Sequence, residues 1–142
     1  MNSKQSIQSE GTPLQLFDGV PSLYLYQVTG DKEQQIRHLA TDMGIRVHQV
    51  NPVDYLQPIG VLLNLPGFER TPLRYGGPLL PDEMMLMSGF DDTLLSRFLS
   101  AYRHTGIPSI PLKAGVTPHN IFWTSQQLYQ ELYKEHRMMQ GR

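Results

Sequence analysis

Leu23-Tyr-Leu-Tyr-Gln-Val28 and Glu83-Met-Met-Leu-Met87 are the two runs that decide the fold. Each is nearly unbroken in apolar, β-favouring residues and too short for an ordinary helix. That is the pattern of a strand covered on both faces. Polar turns stop both at matching places, Thr29-Gly-Asp31 after the first and Ser88-Gly-Phe-Asp91 after the second.

Working outward, each strand leads into an amphipathic helix. In the first, Asp31 is the expected N-cap with Gln34 completing a capping box. Ile36, Leu39, Ala40 and Met43 form one stripe, and Gly44 suits the C′ position. In the second, Asp91 caps, Phe90 and Leu95 are placed as a hydrophobic staple, and Leu94, Leu95, Phe98, Leu99 and Tyr102 face inward up to Gly106. A more polar strand then follows in each case. Ile45-Arg-Val-His-Gln-Val50 is one; in the other, Ile110, Leu112, Ala114 and Val116 alternate with Ser109, Pro111, Lys113 and Gly115. Pro111 marks the latter as a sheet edge. Asn51-Pro52 opens a turn, Pro58 interrupts it, and Ile59–Leu65 resumes as a short buried helix. Thr124 caps the last helix with Gln127, Trp123 is set to staple onto Leu128, and Leu128, Leu132 and Met139 line its inner row.

The chain therefore reads as an α/β fold: a small three-layer domain whose four-stranded, mainly parallel sheet has the order 2-1-3-4. Two β-α-β-α halves build it, right-handed crossovers make each β-α-β pair parallel, and the two apolar strands lie side by side at the centre. A ferredoxin-like α+β arrangement is the alternative. One domain spans 1–142: a loose arm at 1–19, a first half at 20–65, a Pro/Gly-rich connector at 66–81 and a second half at 82–142. Leu14, Leu16 and Phe17 are apolar enough to pin the arm to the core. The connector can act as a lid, but a plain link between halves is the simpler reading.

Composition narrows the function classes. Twelve Lys plus Arg against thirteen Asp plus Glu give a formal net charge of -1, which argues against nonspecific nucleic-acid binding. The absence of cysteine excludes disulfides, thiolate chemistry and Cys-based zinc sites. The polar start lacks a signal-peptide core, and no apolar run reaches the ~20 residues of a membrane span. These absences point to a cytoplasmic protein of bacterial type.

The segment Leu112-Lys-Ala-Gly-Val-Thr-Pro-His-Asn-Ile-Phe-Trp123, with Leu128 and Glu131-Leu-Tyr-Lys-Glu-His136 beyond it, resembles a bacterial domain-of-unknown-function family, the one numbered 3783. The resemblance covers residues 82–137 well and the first half loosely. It implies a small α/β domain, and members look alike at Lys113, Thr117, Asn120 and Trp123. It implies no established activity.

In a sheet of this order, ligands bind beyond the carboxyl ends of the strands where connections diverge. That rim holds Thr29 and Ser88, with the corner Lys113, Thr117, His119 and Asn120, and Trp123 beside it. Helix starts there offer N–H groups to an anion; Asp31 and Asp91 as caps oppose one. Lys113 suits an anion contact or a Schiff-base amine, or it blunts an exposed edge. Thr117 and Asn120 suit ligand orientation or the internal bonds of a Pro-containing turn. Trp123 stacks on a ring or serves as the staple. The five histidines show no close metal-binding pair, and no P-loop, HExxH or GxSxG motif occurs. The reading is a non-enzymatic module binding a protein or small ligand, with no cofactor, metal or catalytic residue implied. The alternative is a small enzyme or anion-binding domain at the rim. Tyr129, Tyr133 and Met138 offer a homodimer face.

Overall fold

A computed structural model describes residues 19–140. Its elements run β1 (Ser22–Tyr26), α1 (Gly30–Asp42), β2 (Arg46–Gln49), a 3-10 turn (Pro52–Asp54), α2 (Ile59–Leu62), β3 (Met84–Ser88), α3 (Asp92–His104), β4 (Leu112–Gly115), a second 3-10 turn (Asn120–Phe122) and α4 (Ser125–Gln140). The expected arm, with Leu14, Leu16 and Phe17, lies outside the described residues.

The four strands form one open sheet of order β2-β1-β3-β4, as the apolar pattern predicts. β1 and β2 pair in parallel, as do β3 and β4, which is what a crossover through α1 or α3 requires. The central pair departs from the expectation. β1 and β3 are antiparallel, with Ser22 opposite Ser88 and Tyr26 opposite Met84, so the sheet is mixed rather than mainly parallel. The crossover rule fixes direction only within a β-α-β unit; β2 and β3 are joined by turns, α2 and the 66–81 connector, which impose none. Two apolar strands bury both faces equally well in either direction. The order also excludes the ferredoxin-like alternative.

Alternation along the central strands divides the core. Leu23, Leu25, Met85 and Met87 join Ile36, Ala40, Phe98 and Tyr102 from α1 and α3 in one cluster. Tyr24, Tyr26, Met84 and Leu86 join Tyr55, Ile59, Leu112 and Leu128 in another. Successive side chains of a strand point to opposite faces, so each central strand serves both clusters.

Local chemistry explains where the helices begin and end. Asp91 Oδ1 accepts from Leu94 N at 2.7 Å, the expected cap of α3. Thr124 and Gln127 form the expected reciprocal box: Gln127 N donates to Thr124 Oγ1 at 3.2 Å, and Thr124 N to Gln127 Oε1 at 2.8 Å. Gly44 and Gly106 follow α1 and α3 with φ of +74° and +78°, the left-handed backbone of a C′ residue. The cap of α1 differs. The helix starts at Gly30, so its N-cap is Thr29, two residues earlier than the expected Asp31, and Thr29 makes no side-chain cap bond.

Contacts away from the sheet link residues 58–59 to residues 123–124. An isolated antiparallel bridge joins Pro58 to Thr124, and Ile59 N donates to Trp123 O at 2.8 Å. The segment entering α2 thus meets the one entering α4.

Candidate functional site

The antiparallel centre separates the residues expected to share a rim. Thr29 follows the carboxyl end of β1, whereas Ser88, at the carboxyl end of β3, sits opposite the first residue of β1. The two therefore lie at opposite ends of the sheet. β4 runs parallel to β3, so Thr117, His119 and Asn120 follow at the Ser88 end. The Lys113 ammonium reaches the other way, donating to Ile110 O at 2.8 Å just before β4. The structure thus groups Ser88 with Thr117, His119 and Asn120, and Thr29 with the Lys113 head group.

At the Ser88 end the polar side chains bind one another. Asn120 is buried; its Nδ2 donates to Gly115 O at 2.9 Å and its Oδ1 accepts from Thr117 N at 2.9 Å. The amide thereby imitates a neighbouring strand along β4, engaging a carbonyl and an N–H two residues apart. Thr117 Oγ1 accepts from the N–H groups of both His119 and Asn120. His119 is exposed, and Trp123 packs half-buried on the cluster that contains Leu128.

At the opposite end, Lys32 pairs with Glu83 and donates to Ser109 O. Lys113 is partly desolvated beside the Lys32 charge, and these two effects, in that order, hold its ammonium below the ordinary lysine range. Tyr102 donates to Pro108 O at 2.7 Å; burial, aided by Glu83, pushes its phenol up to about 12.

The connector is where the structure adds most to the sequence. Gln57, only 1% exposed, holds it with a single amide: Nε2 donates to Thr71 O and Leu73 O, and Oε1 accepts from Thr71 N, at 2.9–3.0 Å. Arg70 pairs with Asp54 at 2.7 Å, and Tyr75 N donates to Val53 O. The Tyr75 hydroxyl donates to Pro78 O and accepts from Gln126 Nε2. Past the end of the connector, Tyr129 donates to Asp82; burial first, then that carboxylate, drives its phenol upward. Leu80 is buried, and the Phe68 ring lies directly over Gly60, where a Cβ would meet it at 2.5 Å. The connector is thus a fastened strap.

Although held down, the strap leaves Leu73 and Leu79 each 55% exposed. Phe122, 67% exposed, stacks obliquely on Phe68 with ring centres 5.2 Å apart. Beneath lies an aromatic row. Tyr55 sits 6.0 Å from Tyr26 and 5.5 Å from Tyr75, centre to centre. The Tyr26 hydroxyl bonds Ser125 Oγ at 2.7 Å, and burial raises its pKa. The fully buried Tyr55 hydroxyl has no partner among the described residues. The Pro/Gly spacing marks a connector in sequence but not that it is fastened; nothing local signals Gln57, because its partners lie fourteen and sixteen residues on.

Among the described residues no group of three or more His, Asp or Glu side chains is placed to hold a metal ion, and no helix is long and apolar enough to cross a membrane. Tyr129 is half-buried and stacked on Tyr133, leaving Tyr133 and Met138 as the exposed members of the expected dimer face. No curated protein and no solved structure matches the chain. In agreement with the resemblance read from Lys113 to Trp123, residues 83–139 match the family model described as a domain of unknown function, DUF3783.

Proposed function

We propose that this chain is a bacterial, cytoplasmic, non-enzymatic module that binds a partner protein through the outer side of the strap. In this reading it is one three-layer domain made of two repeated halves. The observation that carries it is the exposure of Leu73 and Leu79 on a segment fastened by Gln57, Arg70 and Tyr75. A loose connector exposes leucines by chance. One tied down at several points, with its neighbour Leu80 buried, holds them outward in a defined arrangement that a partner's apolar side chains can cover. The polar residues of the alternative site support the reading from the other side, since Thr117 and Asn120 already bind internal backbone groups.

Placing a photo-crosslinking amino acid at position 73 or 79 in cells tests this. A discrete adduct is expected at both positions, absent from a control at exposed Glu135, and lost when the unlabelled leucine of the pair is changed to serine. Adducts no more frequent than at the control would overturn the reading. So would a phosphorylated metabolite or metal that raises the melting temperature in a way abolished by Lys113→Ala.

A further inference from the structure

The loop between α3 and β4 presents three consecutive carbonyls, and three side chains take them in turn. Tyr102 bonds Pro108 O, Lys32 bonds Ser109 O at 2.8 Å, and Lys113 bonds Ile110 O at 2.8 Å. Neighbouring carbonyls bring the two ammonium groups close together. Glu83 is committed to Lys32, and among the described residues no carboxylate lies within ion-pair distance of Lys113. The charged group that acts on Lys113 is Lys32 from α1, itself held by Glu83 and Ser109 O.

We propose that Lys113 is a covalent acylation site, reacting with small acyl phosphates. Three features favour it. The residue is exposed on β4, an edge strand with no neighbour on its outer side among the described residues, so a donor can approach. The adjacent Lys32 charge disfavours a second ammonium, in the direction already noted for this lysine. A neutral amine still donates an N–H to Ile110 O while its lone pair is released, so deprotonation breaks no hydrogen bond. In the reaction that lone pair forms the new N–C bond, the bond from carbonyl carbon to phosphate oxygen breaks, phosphate departs with the electron pair, and the nitrogen's proton passes to water. The product lacks the positive charge that guards the β4 edge against pairing with another chain.

The full chain treated with acetyl phosphate and mapped by mass spectrometry tests this against Lys134, whose side chain is 70% exposed and paired with Glu131. Lys113 is expected to acetylate ahead of Lys134 in the folded chain and to lose that lead in denaturant. Lys32→Gln, which removes the like charge, is expected to slow Lys113 and leave Lys134 unchanged. Faster labelling of Lys134, a lead that survives denaturation, or a Lys113 rate indifferent to Lys32→Gln would overturn the proposal.

Discussion

Asn120 and Gln57 are primary amides used as pieces of backbone. Each offers a donor and an acceptor on one rigid plane, so each can satisfy a strand-like segment that has no strand beside it. Asn120 does this for β4, Gln57 for the strap. Removing either leaves backbone groups unpaired, at about 1–3 kcal/mol for each that stays buried. Chemical denaturation of Gln57→Ala should therefore show a loss of about 2–4 kcal/mol, with faster hydrogen exchange at Thr71. Tyr55 is the opposite case. Its hydroxyl is buried with no partner among the described residues, so Tyr55→Phe removes an unsatisfied group and should raise stability by up to about 1–2 kcal/mol. A clear loss in the same measurement would mean the hydroxyl has a partner. From sequence, Asn120 and Thr117 are visible as turn formers, and the structure uses them so. Gln57 and Tyr55 are invisible because their significance depends on what folds over them.

Helix ends are the best-read features at the scale of elements. The Asp91 cap, the Thr124–Gln127 box and the glycines after α1 and α3 all follow from local chemistry, which needs only a few neighbouring residues. Asp31 does not cap because it lies within the first turn of the helix, with Thr29 at the N-cap. Gly106→Ala places a Cβ in open space but on left-handed backbone, and should cost about 1 kcal/mol in a melting experiment. The junction of α3 with β4 should be sensitive to alkali. The Tyr102 phenol is raised from 10.0 to about 12, so it stays protonated in the folded chain after its unfolded counterpart has ionised. Its contribution is complete below pH 10 and is lost as pH rises from 10 through about 12. Stability measured across that window should fall less steeply in Tyr102→Phe than in the parent chain.

Across the whole molecule, strand order follows from apolar content, whereas strand direction does not. Leu23–Val28 and Met84–Met87 are the most apolar strands and occupy the centre, with the more polar strands outside. Nothing in their alternation distinguishes parallel from antiparallel, and the strap between β2 and β3 permits both. The direction nevertheless decides the functional reading. With β1 and β3 antiparallel, Thr29 and Ser88 leave opposite ends of the sheet, and the single polar rim becomes two separate clusters bound up in internal hydrogen bonds. The most direct measurement of that claim is cysteine cross-linking in a chain that has no cysteine of its own. Ser22→Cys with Ser88→Cys should close a disulfide under mild oxidation, because these positions are directly opposed. Ser22→Cys with Met84→Cys should stay reduced. Closure of the second pair and not the first would mean a parallel centre, and would contradict the account.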